Sequence, residues 1–244
     1  MDDLLRRLQR FQSDYFPSYR QQFQDLVQHG QQPTTLFIGC SDSRLVPYLL
    51  TGAGPGELFL VRNVGNIVPP FDGSKGHHGT AAAIEYAVLN LHVRDIIVCG
   101  HSHCGAIKAL YEEVPAEACN LGPWLDLARE AALPVCVSAE ALRRTEQRSV
   151  VLQLERLMDY PMVRQRVEAG ELFLHGWHYV IEDGEVQVFD VHEGRFIPAA
   201  ESTHSGTGPY LPHPAESEPG DADEPDNPIF NELDGSYARW GCHS

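Results

Sequence analysis

Apolar residues recur at helical spacing from the start of the chain. Leu4, Leu5, Leu8, Phe11, Tyr15, Phe16, Tyr19, Phe23, Leu26 and Val27 precede Gly30 and predict a helical arm over residues 1–30, with Pro17 dividing it into two helices. The pattern then changes. Pro33-Thr-Thr-Leu-Phe-Ile-Gly-Cys40, Glu57-Leu-Phe-Leu-Val-Arg-Asn63 and Arg94-Asp-Ile-Ile-Val-Cys-Gly-His101 are short, nearly continuous apolar runs. Such runs suit strands buried on both faces of a parallel sheet. Helices are predicted over residues 79–91, 123–132, 138–158 and 161–169. Residues 171–181 and 186–191 flank Asp183-Gly184, a hairpin signal. The fold class is therefore α/β: a mainly parallel sheet with an antiparallel edge, flanked by helices. Gly52-Ala-Gly54-Pro-Gly56 superficially suggests a phosphate loop, but it lacks the Lys-Ser/Thr pair and reads as a tight turn before a strand.

Composition narrows the classes. The 244 residues suit one large domain, or one domain with a tail, and 43% hydrophobic content is ample for a core. No apolar run is long enough to span a bilayer. Met-Asp-Asp-Leu-Leu-Arg-Arg lacks the apolar stretch of a signal peptide, so export is not expected. Six cysteines in a chain of this size are no disulfide framework, and thiols that must stay reduced to hold metal point to a cytoplasmic setting. A formal charge of −16 argues against nucleic acid or an anionic membrane as partner. Residues 199–244 carry nine acidic side chains against one basic, Arg239, and so hold half of that charge. The division expected is a body over 1–198 and an acidic, proline-rich tail over 199–244.

The candidate chemistry lies at two strand ends. Cys40-Ser-Asp-Ser-Arg44 follows the first run and His101-Ser-His-Cys104-Gly the third. In open α/β sheets ligands gather beyond the carboxyl ends of neighbouring strands. Cys40, His101 and Cys104 would make a zinc site one ligand short of a closed tetrahedron, leaving a position for water or substrate. Gly105 permits close backbone approach as a helix starts. Asp42 and Arg44, two residues apart on an extended segment, would point the same way. The carboxylate could accept a hydrogen bond from zinc-bound water or displace it; a bidentate guanidinium would hold it off the metal. His103 competes with His101 as a ligand, but its adjacency to Cys104 would demand a strained turn. That leaves it as a surface residue or a proton carrier. Cys99 reads as core, Cys119 and Cys136 lack nearby ligand partners, and His175 reads as hydrogen-bonded structure. His77 and His78 could relay protons or simply be solvated.

Cys-x-Asp-x-Arg followed by His-x-x-Cys resembles the signature of β-class carbonic anhydrases. The resemblance extends through Val61-Arg-Asn-Val-Gly-Asn-Ile-Val-Pro-Pro70, Ala83-Ile-Glu-Tyr-Ala-Val88 and Leu174-His-Gly-Trp-His-Tyr179, over roughly residues 1–198. It implies a zinc-dependent lyase that hydrates carbon dioxide reversibly to bicarbonate and a proton through zinc-bound hydroxide. Asp42 and Arg44 take the orienting and gating role. Gln31, Phe71 and Tyr86 match residues that line the substrate cleft at a dimer interface, and Gly105 joins the substrate-binding set. The aromatic stripe of the arm would pack across that dimer. Two thiolates, an imidazole and hydroxide bring the zinc site to −1, less positive than a three-imidazole set, so its water should ionise at somewhat higher pH. Phe37 stands where members with an inhibitory bicarbonate site carry Trp, which favours an open, water-bearing zinc.

Two rival readings stand beside this one. In a catalytically silent zinc-containing binding protein, Asp42 would close the site as fourth ligand. A Cys-His hydrolase using Cys40 and His101 would leave Cys104 unexplained. The tail is similar to the C-terminal extension of cyanobacterial carboxysomal enzymes. That likeness implies docking of 229–240 onto the carboxysome scaffold protein and supply of carbon dioxide to RuBisCO, against a fold-back over the active site or an idle tail.

Overall fold

The computed structural model describes residues 2–73 and 78–202. His77 and the tail beyond Ser202, including residues 229–240, lie outside the described residues. Two compact units are distinguished, a helical segment ending at Gly30 and a body beginning at Gln31.

The first unit runs as α1 (Asp2–Arg10), a π-helical stretch (Phe11–Tyr15) and α2 (Phe16–His29). The expected division at Pro17 is corrected: Arg10, Tyr15 and Phe16 all keep right-handed helical angles, so the helix widens instead of breaking. Phe16 N–H donates to Phe11 O, five residues back. Pro17 then falls in the first turn of α2, where its missing N–H costs least. Along this unit Phe11 tilts against Phe16 with ring centroids 6.0 Å apart, Phe16 stacks on Phe23 at 5.8 Å, and the Arg20 guanidinium lies 5.0 Å over the Phe16 ring.

The body follows as β1 (Thr35–Cys40), α3 (Pro47–Thr51), β2 (Leu58–Asn63), α4 (Gly79–Glu85), β3 (Asp95–His101), α5 (Gly105–Ala109), α6 (Leu121–Asp126), α7 (Ala139–Leu157), α8 (Pro161–Glu168), β4 (Phe173–Val180), β5 (Glu185–Asp190) and β6 (Arg195–Pro198). The strands form one sheet in the order β2-β1-β3-β4-β5-β6. The first three pairings, β1–β2, β1–β3 and β3–β4, are parallel, and the last two are antiparallel. The α/β class, the parallel majority and the antiparallel edge thus match the sequence reading. Two elements were not foreseen. The short helix α3 starts with Pro47 and is closed by Gly52 in the left-handed region (φ 68°), whose N–H donates to Tyr48 O at 3.0 Å. The edge strand β6 has only four residues, too few for a periodic signal.

Alternation along the strands feeds two cores. Leu36, Ile38, Ile96, Val98 and Leu174 face one side, with Ile84 of α4, Val150, Leu154 and Leu157 of α7, and Val163 and Val167 of α8. Phe37, Ile97 and Cys99 face the other, with Ile107 of α5 and Leu125 of α6. Burial of both faces explains why these strands read as continuous apolar runs.

Helix α7 sits close on the sheet because two glycines make room. A Cβ at Gly100 of β3 would lie 2.7 Å from Val150 Cγ2, and one at Gly176 of β4 would lie 3.0 Å from Val150 Cγ1. Gly100→Ala should therefore destabilise the protein by about 1–3 kcal/mol through overpacking. In the double variant Gly100→Ala/Val150→Ala the two costs should be less than additive. Urea unfolding of both checks this, and an unchanged midpoint for Gly100→Ala would contradict the close approach.

Candidate metal centre

β1 lies between β2 and β3, so the chain reverses its direction of growth across the sheet beside β1, where α/β folds form their crevice. The β1–β3 register pairs Gly39 with Cys99. Cys40 and His101 consequently end adjacent strands, and Cys104 follows one turn later ahead of α5. The sulfurs of Cys40 and Cys104 and a nitrogen of His101 lie within 4.8 Å of one another, all three residues buried. Tetrahedral zinc needs such atoms roughly 3.5–4 Å apart.

The tautomer also fits. His101 Nδ1 donates to the Ser102 carbonyl at 2.9 Å, leaving Nε2 as the acceptor, and Nε2 is buried without a hydrogen-bond partner. An orphaned lone pair between two thiols is a cost that a bound cation removes. The thiols are prepared as well. The Cys104 contact, with help from the backbone N–H groups of Asp42 and Gly65, pulls Cys40 down to about 4 against the opposing effect of burial. The Cys40 contact and burial push Cys104 well above the ordinary thiol range. One thiolate and one shared proton describe this pair, and a cation takes the proton's place.

The Asp42–Arg44 pair forms, but not on an extended segment as the sequence suggested. Leu45 N–H donates to Asp42 O at 3.1 Å, closing a turn, and Arg44 N–H donates to Asp42 Oδ1 at 3.0 Å. Aspartate binding the backbone two residues on is a common turn former, and it folds Arg44 back over its own partner. Arg44 Nε donates to Oδ1 at 2.9 Å and an η-nitrogen to Oδ2 at 2.8 Å. This fork, against the opposing effect of burial, holds Asp42 well below the usual carboxylate range. Asp42 Oδ2 lies 4.0 Å from His101 Nε2, so the carboxylate borders the ligand triangle while gripped from the other side.

Several contributors escaped the sequence reading. Arg62 of β2 donates through Nε to Cys40 O at 3.0 Å and through an η-nitrogen to Asp42 O at 2.7 Å, clamping the segment between ligand and dyad. Glu146 of α7 accepts the Cys104 N–H at 3.1 Å, and its other oxygen faces His178 Nε2 at 3.2 Å in a fully buried pair. Buried polar residues recur along α7 as Glu146, Ser149, Gln153 and Arg156. That stripe was a legible signal, since polar side chains at helical spacing on an inward face need partners. Gln153 accepts Val68 N–H at 2.8 Å, Arg156 donates to Val68 O at 3.5 Å, and Tyr160 donates to Pro69 O at 2.9 Å, fixing the approach to Phe71.

The remaining candidates are placed as follows. Gln31 is exposed at the start of the body. Phe71 is partly exposed with its ring 5.3 Å from that of Tyr160, and Tyr86 is exposed 5.7 Å from Phe59. Gly105 opens α5. His103 lies outside the buried cluster: its ring is 65% exposed and faces Glu182. Cys99 is core, burial pushing its thiol up. His175 bonds Asp95 at 2.7 Å, as its structural reading required. Cys119 and Cys136 are exposed free thiols.

A family model for carbonic anhydrase matches residues 35–186, more than half of the chain and both halves of the cluster. The chain belongs to the carbonic anhydrase family. It is similar to a carbonic anhydrase of Synechocystis, 40% identical over 234 residues that cover 88% of this chain and 81% of the relative. Among solved structures it resembles the β-carbonic anhydrase CcaA at 38% identity, with a TM-score of 0.77 over 84% of this chain and 94% of that one. It also resembles tetrameric β-carbonic anhydrases of Sordaria macrospora at 30% identity, with a TM-score of 0.67 over 77% of this chain and 97% of that one. The chain is thus a zinc-dependent lyase of the β class, and Cys40, His101 and Cys104 suit its metal.

For this carbonic anhydrase, Cys40→Ser or Cys104→Ser should lose both zinc and activity, because each takes a soft sulfur out of the cluster that suits the metal. Metal analysis of the purified variants beside carbon dioxide hydration kinetics measures both. Full zinc occupancy in either variant would contradict the ligand set.

Proposed function

We propose that Cys40, His101 and Cys104 hold the catalytic zinc and that Asp42 and Arg44 gate it for the reversible hydration of carbon dioxide to bicarbonate and a proton. Zinc bound there supplies a Lewis acid that lowers the pKa of a coordinated water and so provides a nucleophile near neutral pH. The observation that carries the reading is the fork from Arg44 onto both oxygens of Asp42, with Oδ2 only 4.0 Å from His101 Nε2. A carboxylate so held accepts a proton-bearing neighbour at Oδ2 and is kept from turning into the ligand set. The silent-protein reading, with Asp42 as fourth ligand, loses support from the same geometry, since both oxygens are engaged. The hydrolase reading leaves Cys104 idle, although it lies within the buried cluster.

Gln31 would donate to bicarbonate, Phe71 and Tyr86 would wall the cleft for carbon dioxide, and Gly105 would admit substrate close to the backbone. Exposure of the two rings supports a cleft completed by a second copy, with the arm over residues 1–30 packing across the dimer or higher dimer-based oligomer. Tetrameric relatives support this assembly. We place the enzyme in the cytoplasm, inside the carboxysome, where it would supply carbon dioxide to RuBisCO. Among the described residues no helix is long and apolar enough to cross a membrane. Supporting the carboxysomal assignment, the acidic, proline-rich stretch after residue 199 leads to Ile229-Phe-Asn-Glu-Leu-Asp-Gly-Ser-Tyr-Ala-Arg-Trp240. A polar spacer ending in aromatic anchors is a layout suited to docking on a scaffold protein.

The gate is tested by Arg44→Ala across pH. The parent's hydration rate should rise between about pH 7 and pH 9 as the nucleophile forms. Asp42 takes no part in that rise. Its pKa is depressed in the folded state, so its pairing with Arg44 is complete above the unfolded carboxylate value and is lost only at strongly acidic pH. Arg44→Ala should be inactive over the whole window with zinc retained, and parental activity in it would refute the gate.

Truncation after Ser202 keeps β6 and should leave zinc content and kinetics intact while abolishing recruitment to the carboxysome scaffold. Normal recruitment of the truncated enzyme would rule the tail out as the targeting element. A sharp change in its kinetics would instead favour fold-back over the active site.

A further inference from the structure

Between the ligand positions His101 and Cys104 the chain passes through Ser102 and His103, whose side chains stand outside the ligand set. His103 adopts φ 56°, a left-handed conformation that a non-glycine residue holds only when its surroundings impose it. In that conformation its carbonyl accepts an η-nitrogen of Arg44 at 3.0 Å. The same η-nitrogen donates to Asp42 Oδ2, so the guanidinium is fixed between a carboxylate and a backbone carbonyl.

A carboxylate from beyond the end of β4 contacts both side chains of this turn. Glu182 Oε2 accepts the Ser102 hydroxyl at 2.6 Å, and Ser102 Oγ in turn accepts Ile181 N–H at 2.9 Å. Glu182 Oε1 lies 3.3 Å from His103 Nε2 and 3.2 Å from Arg143 of α7. Glu182 therefore grips both residues of the turn whose carbonyl grips Arg44. The path from Glu182 to Asp42 runs through an ion pair or hydrogen bond at every link and touches no ligand side chain.

We propose that Glu182 is a positioning residue of this carbonic anhydrase. It fixes the Ser102–His103 turn so that the His103 carbonyl keeps Arg44 seated on Asp42 and Asp42 turned away from the metal. The inference rests on the gating role of Asp42 and Arg44 and extends it to a residue 138 positions from Arg44 in sequence. A merely structural Glu182 would alter stability or metal content; a positioning one alters the metal's fourth position with both preserved.

The test compares the parent, Glu182→Ala, Glu182→Gln and Arg44→Ala. Each is prepared as the full-length zinc enzyme for kinetics, metal analysis and thermal unfolding, and with Co²⁺ in place of zinc for visible absorption. Glu182→Ala should keep one metal per chain and a near-parental Tm, lose about tenfold in kcat, and shift the Co²⁺ spectrum toward that of Arg44→Ala. Glu182→Gln keeps an acceptor for the Ser102 hydroxyl and should lie nearer the parent in both rate and spectrum. The proposal is overturned by a Glu182→Ala enzyme with parental rate and spectrum, or by a loss of rate that tracks loss of metal or of Tm. It is equally overturned if Glu182→Gln falls as far as Glu182→Ala, which would make charge the operative property. Should Arg44→Ala itself keep the parental rate and spectrum, the gate fails first, and that result is distinguishable from failure of Glu182 alone.

Discussion

Parallel pairing of β1 with β3 is the constraint on which the site depends. The two strands are separated by more than fifty residues of chain, yet their register sets Gly39 beside Cys99 and so ends them with Cys40 and His101 at the same edge of the sheet. A slip of one residue would turn every side chain of β1 to the opposite face. Both faces are buried, by different sets of helices, so no register other than the observed one leaves both cores intact. The placement of the Cys40–His101–Cys104 cluster follows from ordinary hydrophobic packing on both faces of the sheet.

Around this frame the polar contacts divide into two groups with different tasks. One group holds backbone. Arg62 reaches from β2 to the carbonyls of Cys40 and Asp42, and Glu146 takes the N–H of Cys104. Further along α7, Gln153 and Arg156 satisfy both backbone groups of Val68. These groups are buried or partly buried, and each would be costly to leave unpaired. The other group holds charge: Arg44 on Asp42, the His103 carbonyl on Arg44, and Glu182 on the turn that carries that carbonyl. Helix α7 thus serves packing and chemistry together, with Val150 and Leu154 against the sheet and Glu146 against the metal centre.

Burial raises the pKa of every acid at the centre, and the hydrogen bonds each one receives decide which of them escapes that effect. Cys99 is held protonated by its apolar surroundings, whereas Cys40 on the adjacent strand is drawn toward thiolate by the groups that converge on it. Asp42 remains ionised because its guanidinium partner outweighs the modest desolvation it suffers. At the ends of two neighbouring strands, one buried thiol therefore stays protonated while a second thiol and a carboxylate are drawn toward their ionised forms.

The amino-acid sequence by itself determined the fold class, the strands that carry the site, the buried cluster suited to a metal and the pairing of Asp42 with Arg44. These are local properties: burial on both faces writes itself as continuous apolar runs, and a metal-binding turn writes itself as spacing. Tertiary structure alone decided the rest. The helical arm widens before Pro17 where a break was expected, and the proline falls in the first turn of α2, where its missing N–H costs least. Asp42 and Arg44 meet through a turn closed by backbone bonds, which alternation along a strand could not reveal. Arg62, Glu146 and Glu182 lie 22, 42 and 80 positions from the residues they hold, and no local pattern encodes a partner at that distance. Their places follow from strand order and register, the features of the fold that are set by packing of the whole sheet.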